Sequence, residues 1–269
     1  MKLKLATLLF SMSLATIGCS DDVEIISSGG ATDAGMTDAG ATDDGMTDDG
    51  MTDDGMTDDG GDPTFMGGTY EITVMNLSPN QPMTDPVAAI HADTIHLFEV
   101  GGVSSTQIQT IAERGDNDPL TIFLGGSADV SDFAVIGAPP ILPGASATGT
   151  LTTDNPAHVL SLVNMVICTN DAISGVDSVA LPTDTTPLVI TTMAYDAGTR
   201  TNVADADSFE PPPCSPNART IPPSLTAFEN IVAHPGQTGV VNPDPAAPGT
   251  NWDFAMGDDM LEITITLQP

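Results

Sequence analysis

Two aspartates stand after predicted β-strands, where carboxylates can bind a hard divalent cation. Asp171 follows the apolar run HVLSLVNMVIC, and Asp196 follows PLVITTMAY. If the two strands run in the same direction, both carboxylates reach the same end of the sheet. Calcium takes about six to eight oxygen ligands from carboxylates, carbonyls and water, a mixture that neighbouring loops can supply. The alternative is that each aspartate only caps or starts a turn, as aspartate commonly does.

A pair of cysteines brackets this region. Cys168 and Cys214 remain once Cys19, at the end of the N-terminal apolar segment, is set aside. An even number of cysteines in an oxidising compartment predicts a disulfide, which would tie the segment before Asp171 to the CSPN segment. Two separate buried thiols are the alternative. Neither cysteine has a basic or histidine neighbour in sequence that would lower its pKa, so we expect no nucleophilic thiol.

Motifs of enzymes are missing from the sequence. It contains no Gly-x-Ser-x-Gly turn and no phosphate-binding loop, and its four histidines lack the spacing of a zinc site. We expect structural roles for them: His91, His96, His158 and His234. One Trp and two Tyr are too few to build a carbohydrate-stacking platform. The sequence therefore predicts a protein that is not an enzyme.

Alternating apolar residues predict the strands that would position the two aspartates. TYEITVMNL, near the start of the folded region, and LEITITL, near its end, both alternate with the period of a half-buried strand. Other strand-like runs between them are TIHLFEV, PLTIFL, HVLSLVNMVI and PLVITTMAY. Gly, Pro, Asn and Asp clusters separate these runs. The sequence predicts an all-β fold, an antiparallel β-sandwich.

One segment, SSTQIQTIAERG, has the spacing of a short helix. Ile108, Ile111 and Ala112 fall on one face, a serine caps the start and Gly115 ends it. Glu113 and Asp116, in ERGDND, are candidates for an exposed acidic contact patch at the end of this helix. A solvated helix end without a partner is the alternative.

The N-terminus predicts a bacterial export signal over residues 1–18. Two lysines precede an apolar run that is too short to be a stable membrane anchor. The last residues before Cys19 resemble a lipobox, the motif cleaved before a cysteine that receives diacylglycerol, although Thr16 stands where leucine is usual. Lipidation of Cys19 would hold the protein at a membrane surface. Ordinary signal cleavage with an unmodified cysteine is the alternative.

Residues 19–62 contain the repeated unit MTDDG and close variants of it. The repeat lacks the alternating acids and distant glutamate of an EF-hand, and it lacks the stacking apolar positions of a calcium-binding β-helix. Because it has too little apolar surface to offset its conformational entropy, we expect a disordered, acidic tether. Residues 63–269 then form the folded domain.

The charge balance restricts the partners. The 269-residue chain has 37 acidic and five basic residues, a formal net charge of −32. Such a surface repels nucleic acid and attracts divalent cations or basic partners, so we expect no nucleic-acid binding.

Four stretches of the chain, in order, resemble the spondin domain. They are YEITVMNLSPNQPMTDPVAAIHADTIHLFEVGG, IQTIAERGD, VICTNDAISGVDSVAL, and the pair AYDAGTRTN and CSPNARTIPP. The resemblance covers about residues 68–268. It implies a β-sandwich related to C2-type domains, with a calcium ion held by loops at one end.

One position departs from the family in a way that affects this calcium site. In metazoan spondin domains the Asp-Ala-Gly-Thr sequence is followed by another aspartate that contacts calcium, and here that residue is Arg200. An arginine cannot ligate a cation. The site either survives with Asp171, Asp196, carbonyls and Asn202, or Arg200 replaces the ion by pairing with both aspartates. We expect an altered site rather than a lost one.

The combined prediction is a lipoprotein, anchored to the bacterial cell envelope and facing the outside or the periplasm. It would display a spondin-type sandwich that binds an extracellular protein or glycan, with calcium as its cofactor. A structural envelope protein, or an enzyme with an unrecognised site, is the alternative.

Overall fold

The computed structural model describes residues 67–210, 213–214, 220–242 and 251–269. The predicted signal segment, the predicted lipidation site Cys19, the predicted acidic tether and the predicted boundary at residue 63 lie outside these residues. The strands are β1 (Gly68–Asn76), β2 (Val87–His91), β3 (Val130–Val135), β4 (Ser146–Thr153), β5 (Val159–Met165), β6 (Ala172–Ala180), β7 (Leu188–Thr192), β8 (Ala194–Asp196), β9 (Val232–Ala233), β10 (Gly236–Gln237), β11 (Phe254–Ala255) and β12 (Leu261–Leu267). The helices are α1 (Thr106–Arg114), α2 (Asp118–Gly125) and a 3₁₀ turn, Ala206–Ser208.

The alternating residues at both ends of the folded region build one sheet. It has four antiparallel strands in the order β4-β1-β12-β7. Tyr70, Ile72 and Val74 of β1 are fully buried, and the residues between them are more exposed. Ile263 and Ile265 of β12 face the same core. Because side chains of a strand alternate between its two faces, one face of this sheet is apolar and the other is polar.

A second sheet covers that apolar face. It has six strands in the order β3-β2-β5-β6-β8-β9, again all antiparallel, and a two-stranded pair, β10-β11, lies beside it. Every residue of β2 and β5 is buried, because this sheet is covered on both faces. The predicted antiparallel β-sandwich is confirmed.

Two helices pack on the outer face of the six-stranded sheet, where one was predicted. The helix α1 has the predicted cap, since the Ser105 hydroxyl accepts the amide hydrogen of Ile108, and it ends at Gly115, whose φ of 65° is left-handed. The helix α2 was predicted as the strand PLTIFL, and that prediction is wrong. Pro119 falls in its first turn, and Leu120 and Leu124 are buried one helical turn apart while Ile122 and Phe123 are exposed.

The run TIHLFEV, also predicted as a strand, is a loop. Leu97 and Phe98 belong to no strand, and both are buried in the apolar cluster on the outer face of the six-stranded sheet. The amide of Leu97 donates to the carboxylate of Asp177 instead of to a neighbouring strand. Long-range packing against the outer face of the six-stranded sheet therefore overrides the local strand pattern.

The chain enters and leaves the sandwich at the end opposite Asp171. Gly68, at the start of β1, pairs with Thr153, and Tyr70 pairs with Leu267 at the end of β12. Thr153 in turn contacts Ser131 at the start of β3, whereas Asp171 lies beyond the other end of β5. Among the described residues, no helix has the length and apolarity needed to cross a bilayer.

Candidate metal centre

The structure brings Asp171 and Asp196 to the same end of the six-stranded sheet. Asp171 comes immediately before β6, and Asp196 is the last residue of β8. The two strands are antiparallel neighbours with Ala172 opposite Asp196. Since β5 and β8 are both antiparallel to β6, they run in the same direction, which is the condition that the sequence prediction required.

The carboxylate of Asp171 is fully buried. One of its oxygens accepts hydrogen bonds, and the other has no hydrogen-bond partner. Its Oδ2 accepts three hydrogen bonds, from the Thr199 amide at 2.7 Å, the Thr199 hydroxyl at 3.1 Å and the Arg200 amide at 2.8 Å. Its Oδ1 is buried and has no hydrogen-bond partner. A buried polar atom without a partner is unfavourable by about 1–3 kcal/mol, more when it carries charge. An oxygen in this state is well suited to ligate a cation.

The raised pKa of the Asp171 carboxyl also favours a cation beside it. Burial, together with the negative charge of Asp196, raises the pKa of the Asp171 carboxyl to about 6, and the three hydrogen bonds from Thr199 and Arg200 oppose that rise. Both causes of the rise disfavour the ionised form. A divalent cation near Oδ1 would remove the repulsion between the two carboxylates, so the donor set fits calcium in its chemistry.

Asp196 and Asn202 form the more exposed side of the centre. Asp196 accepts the Gly198 amide hydrogen through Oδ1 at 2.8 Å, and its Oδ2 accepts from the side-chain amide of Asn202. Asn202 thus presents its amide nitrogen to Asp196. In the part of the chain that the structure describes, no three His, Cys, Asp or Glu side chains converge on one point. A cation held by Asp171, Asp196 and Asn202 would complete its shell with carbonyl and water oxygens.

A small cavity of about 110 Å³ adjoins these residues, lined in part by Asn170, Asn202 and His234. His234 is buried, and burial lowers the pKa of its imidazole while the charge of Asp196 acts in the opposite direction. Its Nδ1 accepts the Gly236 amide hydrogen at 3.0 Å, so the neutral ring carries its proton on Nε2. His234 thus lines the cavity as a buried ring whose Nδ1 is already occupied. Nothing in its sequence spacing indicated this position.

Arg200 does not pair with the two aspartates. Its amide nitrogen supports Asp171, but its guanidinium turns away and contacts Glu113 at 3.2 Å and Glu210 at 3.4 Å. The alternative in which Arg200 replaces a cation between Asp171 and Asp196 is wrong for this geometry. Its positive charge is neutralised by two glutamates, so it opposes a cation at Asp171 less than an unpaired arginine would.

Glu113 is not part of an exposed contact patch, and that prediction is wrong for this residue. Its side chain is only 3% exposed, and it accepts from Gln109 at 3.1 Å and from Ser224 at 2.7 Å in addition to Arg200. Asp116 is exposed, and its Oδ1 accepts the amide hydrogen of Asp118 at the start of α2. The buried face of α1 is wider than the apolar spacing indicated because Arg200 makes burial of Glu113 tolerable.

Asp171, Asp196, Arg200 and Asn202 all lie inside a recognised family region. The Spondin_N family model matches residues 78–228, more than half of the 269 residues. The chain belongs to the Spondin_N family. No curated protein matches it closely enough to serve as a relative. Spondin_N domains are non-catalytic binding domains of the adhesion type, and membership implies such a role for this chain.

The disulfide of this spondin domain is present where the sequence predicted it. Cys168 and Cys214 are bonded, and both are fully buried. The Trp252 ring nitrogen donates to the Cys214 carbonyl, and Gln237 donates to the Cys168 carbonyl. The bridge fixes the turn that leads from β5 to Asp171, and it is consistent with an extracellular protein.

The first prediction concerns the pH dependence of stability without divalent cations. Because the native carboxyl of Asp171 has a raised pKa, about 6, the folded spondin domain binds this proton more tightly than the unfolded chain. Its contribution to stability is present at low pH and is lost as pH rises from about 4 to 7, on the order of 3 kcal/mol. In Asp171→Asn we expect the free energy of unfolding to show no such decrease between about pH 4 and 7. The measurement is urea unfolding in EGTA at a series of pH values. Asp129→Asn, at an exposed position, is the control, and an unchanged slope in Asp171→Asn would contradict the assignment.

The second prediction concerns the buried pair of Arg200 and Glu113. Arg200→Met leaves Glu113 buried without its cation and is expected to lower the free energy of unfolding by about 3–5 kcal/mol. The double variant Arg200→Met/Glu113→Met should lose less than the sum of the two single changes. Arg114→Met, on the exposed side of α1, is the control and should change stability by less than about 0.5 kcal/mol. Additive effects in urea unfolding would show that the pair is not coupled.

Proposed function

We propose that this chain is an exported lipoprotein whose spondin domain binds an extracellular protein or glycan in a calcium-dependent manner. The observation that carries the proposal is the buried, unpartnered Oδ1 of Asp171, held beside Asp196 at a loop end. Asp171, Asp196 and Asn202 would hold the ion, with carbonyl and water oxygens filling its remaining positions. Calcium would supply a positive charge that fixes the surrounding loops and offers coordination positions to a ligand.

The position of the first described residues in the sandwich supports this role. The described chain begins at the end of the sandwich opposite Asp171, so a segment preceding Gly67 attaches away from the loop end. A lipid on Cys19 and the acidic segment 19–62 would provide the anchor and the spacer. The disulfide fits a chain that folds in an oxidising compartment.

The third prediction tests calcium binding. A ligand that binds only the native state raises stability by RT ln(1 + [L]/Kd), about 2.7 kcal/mol at one hundred times Kd. We expect calcium to raise the thermal unfolding temperature of the full chain at neutral pH. Magnesium should have a smaller effect, because it demands a tight octahedral shell and dehydrates reluctantly. The increase should be absent in Asp171→Asn and intact in Asp129→Asn.

Binding of the proposed partner is measured with the full chain on protein and glycan arrays in calcium or in EGTA. Retention of a ligand in calcium, with loss in EGTA and in Asp171→Asn, is the expected result. An unfolding temperature that does not respond to millimolar calcium would exclude the metal centre. A ligand held equally well in EGTA would place binding elsewhere on the domain.

The fourth prediction tests the anchor. In a bacterial host that processes lipoproteins, the wild-type chain should incorporate a labelled fatty acid and fractionate with membranes. Cys19→Ser should prevent both, because the cysteine sulfur is the atom that receives the fatty-acid-bearing diacylglycerol. Cys214→Ser is the control, since it removes a cysteine without touching the signal. Labelling that persists in Cys19→Ser would reject the proposed lipidation site.

A further inference from the structure

The strands β6 and β7 diverge and leave a groove between two sheet edges. Among the described residues, only Ala172, Ile173 and Ser174 of β6 pair with β8, and from Gly175 onward β6 pairs with β5 alone. The chain crosses from β7 to β8 at Met193, between the two sheets. The strand β7 is terminal in its own sheet and pairs with β12 only. Among the described residues, no strand pairs with the other edge of β7.

The groove between these edges has a volume of about 400 Å³. Val176 and Val179 of β6 form one wall, and Ile190 of β7 forms the opposite wall. Phe98 and Tyr195, whose ring centroids are 5.9 Å apart, lie at one side. Apolar and aromatic side chains therefore form part of the lining, between two strands that carry unpaired backbone groups.

We propose that this groove binds an extended, basic polypeptide segment of a partner protein, which adds a fifth strand to the four-stranded sheet along the free edge of β7. An unpaired strand edge is a ready template for pairing with another chain. Strand addition of this kind obtains affinity from main-chain hydrogen bonds and specificity from pockets for alternate side chains. The apolar walls are such a pocket.

The edge that accepts the strand is β7 rather than β6. The register of β6 against β5 shifts near Ser161, and Ser178 has a φ of 54°, the left-handed region. The Ser178 amide is also occupied, since it donates to the Ser161 hydroxyl at 2.8 Å. Bulges and irregular backbone of this type protect an edge against pairing. The strand β7 is a regular five-residue run with Val189 and Thr191 exposed.

Two carboxylates at the groove favour a partner segment with positive charge. Glu99 is exposed at the groove, and in the described part of the chain it has no ion-pair partner. Asp177 lines the groove as well, and its carboxylate is hydrogen-bonded to His96, Leu97 and Ser161. A lysine or arginine of the partner would be attracted by both carboxylates.

The chain itself does not supply such a segment, which argues for a different protein as the partner. Lysine occurs only at positions 2 and 4, inside the predicted export signal. Of the three arginines, Arg200 is buried in its pair with Glu113. A second copy of this chain, with a net charge of −32, would repel the first. A basic segment of another protein fits the groove.

The groove is independent of the candidate metal centre. Residues Gly175–Ala180 extend along β6 away from Asp171, and no aspartate of the metal centre lines the groove. Binding at the groove should therefore persist in EGTA and in Asp171→Asn. Failure of the calcium proposal would leave this inference standing, and the reverse also holds.

The test uses the full chain and a labelled seven-residue peptide that alternates valine and threonine between two terminal lysines. We expect saturable binding at up to millimolar peptide, measured by fluorescence anisotropy in EGTA. Hydrogen exchange should slow at the amides of Leu188–Thr192. A peptide with glutamates in place of the lysines should bind much more weakly. A peptide N-methylated at alternate residues should not bind, because its donors toward the strand edge are blocked.

Variants locate the site. Glu99→Gln should weaken binding of the lysine peptide by about two- to five-fold, the scale of an exposed ion pair. Thr191→Lys places a positive charge in the groove and should abolish binding. Their controls are Glu71→Gln and Thr150→Lys, which change exposed residues on β1 and β4, far from the groove. The controls should bind as the wild type does.

Four outcomes would overturn the proposal. They are no binding at millimolar peptide, equal binding of the glutamate peptide, binding that survives N-methylation, and exchange protection located away from β7. If Thr191→Lys and Thr150→Lys behave alike, the peptide binds outside the groove.

Discussion

The loop end of this domain depends on how one buried charge is compensated. Asp171 has no contact with solvent, and three donors from Thr199 and Arg200 reach one of its oxygens. The chain must therefore turn back sharply after β8. Gly198 permits this turn with a φ of 66°, and a Cβ there would come within 2.6 Å of the Glu229 carbonyl oxygen. No other residue type fits that approach without displacing the backbone.

Arg200 extends this dependence to the helix α1. The amide of Arg200 donates to Asp171, while its guanidinium is held by Glu113 from the helix and by Glu210. Ser224 contacts Glu113 and also bridges to Arg200 through the backbone. Arg200 cannot ligate a cation, but it fixes the backbone of the loop that supports Asp171. What matters at this position is the direction of the side chain, because a guanidinium that faced Asp171 would compete with a cation and one that faces α1 does not.

Most of the sandwich follows from the sequence because strand alternation and helix capping are local. Tyr70, Ile72 and Val74 alternate as predicted, and Ser105 and Gly115 bound α1. The failures have a common cause in long-range contacts. The burial of Glu113 depends on Arg200, which is 87 positions away in sequence, and Leu97 is positioned by Asp177. The apolar run at α2 is compatible with either a strand or a helix. Pro119 lies in the first turn, and Leu120 and Leu124 lie on one buried face, which favours the helix. The sequence predicted that Asp171 and Asp196 lie at the same end only if the two preceding strands run in the same direction. That direction is set by the pairing of strands in the sheet, which the local sequence does not show.

The short strand β8 accounts for both the candidate metal centre and the groove beside β7. It must end at Asp196 so that the chain can turn back and deliver Thr199 and Arg200 to Asp171. It begins only at Ala194, because Thr192 still belongs to β7 in the other sheet and Met193 makes the crossing. A three-residue strand cannot cover the nine residues of β6, and the rest of β6 is left open beside β7. Lengthening β8 toward its N-terminus would close the groove, and lengthening it past Asp196 would remove the turn that supports Asp171. The buried carboxylate and the open groove are thus two consequences of one crossing between the sheets.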